Sequence, residues 1–290
     1  MTTFPIVLVH GIARFDILAV IIRKKLNVPD DAPAEQVDYF KGIRSRLEEN
    51  GFVVSAPNLR FAGSLDSRAE GLRNHVNEVI QRTGSPKVHI IGHSMGGLDA
   101  RHMIVDKGMA DRVATLTTIG TPHHGTPIAD RITQPGGALL LQVLDRVVDV
   151  DGFADLTTVA CEQFNQRAQD AEAKNGVAYQ TFSASENLPD VFAPLVPSWL
   201  IIRDQEGKND GLVSVRSQQW VRELIANDGT RNPIGQREFP FPADHLNEIG
   251  WWDPEEIISP LFSGVSIVKQ ALNYEQQVRD LYLQIAQSLP

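Results

Sequence analysis

The sequence predicts an α/β fold in which a mostly parallel central sheet is flanked by helices. Three observations carry this. Short apolar runs at residues 4–9, 52–55, 87–91, 113–119 and 177–183 read as strands. Between them, 36–50, 66–82 and 95–107 carry apolar residues at helical spacing, and strands alternating with helices imply parallel strands joined by crossovers. Finally, 290 residues with 42% hydrophobic content suffice for one large core. The whole chain, 1–290, therefore reads as a single domain. There is no internal repeat and no run of like charges.

The first strand, 4–9, ends in His10-Gly11. Helix 36–50 contains Tyr39-Phe40-Lys41-Gly42-Ile43 and runs through Leu47. The run 87–91 breaks into Gly92-His93-Ser94-Met95-Gly96, followed by Gly97 and a helical stretch. This is the G-x-S-x-G pattern of a nucleophile elbow. A serine lifted above a sheet on a sharp strand-to-helix turn sits in strained backbone, and residues two before and two after it crowd neighbouring backbone. Glycine removes that clash because it has no Cβ.

An activated serine needs three supports. The first is a pair of backbone N–H groups that face the developing oxyanion. Met95, the residue after the serine, supplies one. Ile12, in the loop that Gly11 allows to approach closely, supplies the other. The second support is an acid and the third a base, found in the order Ser94, Asp210, His245. His245 takes the serine proton, and Asp210 fixes its tautomer and balances the imidazolium. Asp210 is chosen over Asp190 and Asp204 because Asn209-Asp210-Gly211 signals a tight turn after an apolar strand. Asp244 adjoins His245 and is poorly placed to orient its ring. A helix at 217–227 and a strand at 236–241 are expected to deliver His245 on a loop. His75, His89 and His102 read as structural, and His93 as a packing or loop residue. His123 and His124 precede the acid but can line the site. His10 either braces the first loop or touches substrate.

From 121 to 175 the alternation stops, and this segment reads as a cap or lid inserted in the domain. Leu140, Val143, Leu144, Val147 and Val148 share one helical face. That face either packs on the core or covers the serine as a mobile lid that meets lipid. A Pro-rich excursion spans 187–203, and 264–288 reads as a terminal amphipathic helix closing on the sheet.

The formal net charge of −9 disfavours nucleic acid and anionic membrane surfaces as partners. Cys161 is the only cysteine, so no internal disulfide is expected, and no zinc-ligand spacing is present. No signal peptide or transmembrane span is read in this chain. The expectation is a cytoplasmic location, or export without a cleavable signal.

These motifs, PIVLVHG at 5–11, YFKGI at 39–43, SRAEGL at 67–72, PKVHIIGHSMGG at 86–97, TIGTPHHGTPIAD at 118–130, NDGLVSV at 209–215 and DHLNEI at 244–249, resemble the bacterial true lipases of the Pseudomonas, Burkholderia and Proteus type. They also resemble the related fungal triacylglycerol lipases, towards which GHSMGGLDAR leans. The resemblance implies an α/β-hydrolase fold with a helical lid and hydrolysis of carboxylic esters, chiefly acylglycerols. By motif it implies Ser94, Asp210 and His245 as the triad, and Ile12 and Met95 as oxyanion donors. Arg68 then matches an arginine that steadies the oxyanion loop, its alternative being a surface ion pair. No cofactor is implied for the chemistry. Relatives of the Pseudomonas type hold a structural calcium beside the histidine loop. Here Asn247 and Trp251 replace the aspartate and glutamine that bind it, which leaves Asp244 or Asp253 as possible substitutes. The expected partners are an ester or lipid substrate and, through the lid, a lipid–water interface. The function expected is that of a serine carboxylester hydrolase, most nearly a triacylglycerol lipase. Alternatives are a short-chain esterase, a polyester depolymerase, an acyltransferase with the same triad, and a non-catalytic binding protein on the same scaffold.

Overall fold

A computed structural model describes residues 4–12, 38–59, 63–134, 137, 140, 144, 151–251 and 265–290. Its strands are β1 (Ile6–Val9), β2 (Val54–Ser55), β3 (Val88–His93), β4 (Val113–Ile119), β5 (Ala178–Ser183), β6 (Glu223–Ile225) and β7 (Arg231–Glu238). They form one seven-stranded sheet in the order β2-β1-β3-β4-β5-β7-β6. All neighbours are parallel except the β6–β7 pair. The helices are α1 (Ile43–Glu48), α2 (Leu65–Thr83), α3 (Met95–Asp106), α4 (Pro127–Ile132), α5 (Thr158–Lys174), α6 (Val196–Gln205), α7 (Val215–Gln218) and α8 (Val265–Ser288).

The two faces of the sheet follow from the period of two along each strand. Ile6, Leu8 and Ile91 join α1 and α8 residues such as Ile43, Leu47 and Tyr282 on one face. Val7, Val9 and Ile90 join Leu72, Val76 and Met103 of α2 and α3 on the other. Helix α8 docks through charge as well as area. Lys41 pairs with Glu275, and Arg46 Nη2 lies 2.7 Å from Asp280 Oδ1. Tyr282 meets Phe40 edge-on, and Tyr274 donates its hydroxyl to the Pro242 carbonyl, so the helix also braces the approach to His245.

Parallel strands all present their carboxyl ends to one edge of the sheet, where crevices form. The segments leaving β1, β3, β4, β5 and β7 carry Gly11, Ser94, Gly120, Ala184 and, further on, His245 to that edge.

Three sequence expectations change. The helix expected at 36–50 begins only at Ile43, behind Gly42 at φ 66°. Tyr39 and Phe40 lie outside it and bury their rings, while 36 and 37 lie outside the described residues. The helix expected at 217–227 stops after Gln218. Trp220 turns at φ 56°, and β6 and β7 follow as an antiparallel hairpin. Its turn is Asp228-Gly229, with Gly229 at φ 87°, a dipeptide that favours tight hairpin turns. Accordingly the strand expected at 236–241 lies at 231–238. The 187–203 excursion contains two short 3-10 turns and then α6. Of the apolar face expected at 139–150, Leu144 is buried and Leu140 half-buried against the core, whereas Val143, Val147 and Val148 lie outside the described residues.

Candidate active site

Ser94 sits between β3 and α3 at φ 56°, ψ −133°. A non-glycine residue there stores strain of about 1–3 kcal/mol and must be over-determined by its surroundings. Ser94 N–H donates to the Ile119 carbonyl at 2.8 Å, and Thr121 Oγ1 donates to the Ser94 carbonyl at 2.8 Å. A Cβ on Gly92 would come within 2.8 Å of Gly97 N, one on Gly96 within 2.3 Å of the Val9 carbonyl, and one on Gly97 within 2.2 Å of Thr121 Oγ1. The steric reading of the glycines therefore holds at all three positions. On Gly11 a Cβ would lie 2.7 Å from the Ser94 Cβ, so the first loop touches the serine itself.

His245 bridges the serine and the acid. Its Nε2 lies 2.8 Å from Ser94 Oγ and its Nδ1 2.8 Å from Asp210 Oδ2. All three side chains are buried. Asp210 accepts from Leu212 N and Val213 N through Oδ1 and from Gln218 Nε2 through Oδ2. Its own carbonyl accepts from His245 N at 2.8 Å, which ties the histidine loop to the acid turn. The carboxylate is thus satisfied on both oxygens and turned towards the ring. The Asn209-Asp210-Gly211 turn, with Gly211 at φ 99°, follows helix α6 and not the apolar strand expected before it.

The rivals fall elsewhere. Asp190 and Asp204 are exposed. Asp244 is buried, but its carboxylate accepts from Phe192 N, Leu246 N and Asn247 N and so shapes the loop. Burial pushes its pKa up to about 6 against those donors. His75 pairs with Ser55, His89 with Thr115, and His102 with Asp106, all as structural groups. His123 stacks on Trp220 and is bonded to Thr118. The neighbouring His124 donates from Nε2 to the Trp220 carbonyl.

The segments that carry the two expected oxyanion donors are held as well. Met95 opens α3, where helix geometry leaves the first N–H groups without intrahelical acceptors and gathers positive potential. Ile12 follows Gly11 with its side chain in the core. His10 braces this loop. Its Nδ1–H donates to the Gly11 carbonyl at 2.8 Å and its Nε2 accepts from Leu59 N at 3.1 Å. Burial, helped by the Arg68 charge, lowers its pKa to about 4, so the ring is neutral. Arg68 is buried rather than exposed. Its Nη2 donates to the His10 carbonyl at 2.8 Å, and Nε and Nη2 grip the Asp99 carboxylate. Burial raises Asp99 to about 6, with the guanidinium opposing.

Sequence reasoning missed Glu248, which lies in the 3-10 turn Asn247–Ile249 directly after His245. It also gave His93 too small a part. Their ligand atoms and those of His245 lie within 4.8 Å of one another. A cation among them would have to displace hydrogen bonds that each imidazole already makes. At the expected calcium position, Asn247 Nδ2 donates to the Trp251 carbonyl at 2.6 Å, and the Asp244 oxygens are filled by backbone N–H groups. Asp253 lies outside the described residues; among the described ones, a loop closed by donors in this way does not offer the 6–8 oxygen ligands that a calcium ion requires.

Residues 5–196 match the family described as the alpha/beta hydrolase fold. The chain belongs to the α/β-hydrolase family. Within it, the chain is 31% identical over 267 residues to a triacylglycerol lipase of Vibrio cholerae, spanning 81% of this chain and 80% of that one. It is 30% identical to a triacylglycerol lipase of Pseudarthrobacter phenanthrenivorans, over 73% of this chain and 82% of the relative. In structure it resembles a mature Bacillus licheniformis lipase with a TM-score of 0.60 at 20% identity, covering 83% and 84% of the two chains. A metagenomic carboxyl esterase gives 0.61 at 18% identity, over 99% and 77%. As a lipase or esterase of the α/β-hydrolase family, the chain is a carboxylester hydrolase. No helix among the described residues is long and apolar enough to cross a membrane.

Proposed function

We propose that this α/β-hydrolase cleaves acylglycerol esters through Ser94, His245 and Asp210. The observation that carries the reading is the double 2.8 Å engagement of His245, with Ser94 Oγ on one nitrogen and Asp210 Oδ2 on the other. Ser94 Oγ attacks the ester carbonyl carbon while His245 Nε2 takes its proton. Asp210 holds the ring with its proton on Nδ1 and stabilises the imidazolium. The Met95 and Ile12 N–H groups receive the oxyanion, and Arg68 steadies their loop through the His10 carbonyl. As the carbon–oxygen bond to the alcohol breaks, His245 returns the proton to the leaving oxygen. Water then attacks the acyl-enzyme, His245 takes its proton, and the serine is restored as the acid leaves.

The triacylglycerol specificity rests on the names of the relatives and on the apolar 139–150 segment. In this reading the cap expected at 121–175 is the part before α5, since α5 is the crossover that joins the parallel strands β4 and β5, and this cap borders the lipid–water interface. No metal enters any step, and the Asp244–Asn247–Trp251 hydrogen bonds do the work of a loop clamp. The test is hydrolysis of p-nitrophenyl butyrate, p-nitrophenyl palmitate and emulsified triolein by the wild type and Ser94→Ala. Loss of all activity in the variant, with wild-type preference for palmitate and triolein, is expected. Activity retained by Ser94→Ala overturns the triad. Preference for butyrate without triolein cleavage replaces lipase by short-chain esterase.

A further inference from the structure

Three buried side chains beside the triad have no part in the proton transfers just described. Tyr39, His93 and Glu248 form a continuous hydrogen-bonded line. Gly11 N–H donates to Tyr39 OH at 2.9 Å, Tyr39 OH lies 2.7 Å from His93 Nδ1, and His93 Nε2 lies 2.9 Å from Glu248 Oε2. With His93 as the Nε2–H tautomer, each hydrogen bond of this line runs from a donor to an acceptor. The tyrosine hydroxyl accepts from Gly11 and donates to Nδ1, while Nε2–H donates to the Glu248 carboxyl. One end of this line is the loop that precedes Ile12. The other is the turn that carries His245, where Glu248 N–H donates to the Asp244 carbonyl at 3.1 Å.

We propose that Tyr39, His93 and Glu248 are positioning residues that lock the oxyanion loop to the histidine loop, with Glu248 present as a neutral carboxylic acid. The inference rests on the triad reading above and adds to it a cause for the register between the two halves of the site. Four observations support it. Tyr39, His93 and Glu248 are all buried, so water cannot replace their mutual bonds. A seat has been cleared for the carboxyl: Gly120 lies at φ 58°, and a Cβ there would come within 2.0 Å of Glu248 Oε2. Glu248 Oε1 finds no hydrogen-bond partner among the described residues, and a buried ionised oxygen without a donor is costly. Burial first, and then the Asp210 and Asp244 charges, push the Glu248 pKa well above the usual carboxylate range.

Neutrality matters for the chemistry. Glu248 Oε2 lies 3.8 Å from His245 Nδ1, close enough for an ionised group to compete with Asp210 for that proton. A neutral acid leaves Nδ1 to Asp210. His93 is neutral for the same reason. Its ring centroid lies 4.6 Å from that of His245, and burial and the His245 charge lower its pKa well below the ordinary histidine value.

The test compares Tyr39→Phe, Glu248→Ala and Glu248→Gln in the full chain on p-nitrophenyl butyrate, with active sites counted by a chromogenic organophosphonate. Losing one oxyanion donor costs about 10²–10³ in kcat. A loop that is loosened but not lost should cost less: about 10- to 50-fold in kcat for Tyr39→Phe and Glu248→Ala, with KM within about twofold. Glu248→Gln keeps a neutral oxygen acceptor for His93 and should recover most of that loss, to within about threefold of wild type. Wild-type kcat per active site in both Tyr39→Phe and Glu248→Ala would overturn the lock. Glu248→Gln as slow as Glu248→Ala would overturn the neutral acid. A variant that folds poorly lowers the active-site count without lowering kcat per site, so the reading survives partial misfolding. Ser94→Ala, run alongside, separates the inference from its premise: full activity there removes the triad itself, whereas an inactive Ser94→Ala with normal Tyr39→Phe and Glu248→Ala removes only the lock.

Discussion

At the elbow, Ser94 is held by backbone: Gly92, Gly96 and Gly97 each leave less than 3 Å for a Cβ, and two main-chain atoms of the serine itself are pinned. At the acid turn, Asp210 is held by two backbone N–H groups and the Gln218 amide, and His245 by contacts spread over Asp210, Ser94 and His93. The first region is set by where atoms are forbidden. The second is set by which polar groups find one another. Steric exclusion leaves a fixed spacing in the sequence, whereas hydrogen-bond partnership leaves only residue types at unconstrained distances.

The largest effect belongs to the partnership side. Asp210→Asn keeps the shape but reverses the donor pattern at His245 Nδ1, and should lower kcat by about 10³–10⁴-fold. Single-turnover acylation by p-nitrophenyl butyrate at pH 8 checks it. A loss below tenfold would mean the acid is not Asp210.

Next comes Gly96→Ala, which places a carbon 2.3 Å from the Val9 carbonyl. Overpacking against backbone should cost about 3 kcal/mol or more, read as a lower urea midpoint. Activity should fall further than the folded fraction, because β1 and its oxyanion loop must move. An unchanged midpoint would break the claim that the elbow is sterically determined.

Acid separates the two regions by sign. At the elbow side, burial lowers His10 to about 4 and takes His93 well below its ordinary 6.5. The unfolded chain binds those protons below pH 6.5 and the folded chain does not, so this side loses stability as pH falls from 6.5 to 4. At the histidine loop, Asp244 is raised from 3.8 to about 6. There the folded chain holds the extra proton between those values, so acidification over that range stabilises. His89, His102 and His123 are also lowered, whereas Asp99 and Glu248 join Asp244 on the other side. More groups act in the first sense, and the melting temperature should fall between pH 6.5 and 4.5. Hydrogen exchange should show the Leu59 amide, bonded to His10, opening before the amides of Leu246 and Asn247. The reverse order would contradict the assignment.

A smaller effect is expected at Gln218. Its Nε2 serves Asp210 Oδ2 and the Ala184 carbonyl, and its Oε1 accepts from Ala184 N. Gln218→Met leaves those partners unpaired, at about 1–3 kcal/mol of stability, and kcat should fall by about tenfold, since the acid keeps its two backbone donors. Smallest of all, EDTA should change neither activity nor melting temperature, because donors fill the loop where calcium would sit. A drop on chelation would restore a metal to the account.

Legibility followed the same division. The β3–serine–α3 unit was readable because a glycine two residues either side of a serine is a steric demand. The order Ser94, Asp210, His245 and the tight-turn residues point to the same aspartate that lies 2.8 Å from His245 Nδ1, although helix α6 precedes it where a strand was expected. Strand β6 falls inside the helix expected at 217–227, and the Asp228-Gly229 turn that folds it back onto β7 lies just past that range. Glu248 and the full part of His93 were hidden, since the bond between them spans 155 positions of sequence. The buried state of Arg68 was equally hidden, because its partner Asp99 looks like any surface helix acid.

The most direct measurement is covalent labelling with a fluorophosphonate, followed by mass mapping of the adduct. The account predicts one adduct on Ser94 in the wild type, much slower labelling in Asp210→Asn, and none in Ser94→Ala. An adduct on another residue, or normal labelling of Ser94→Ala, would contradict it.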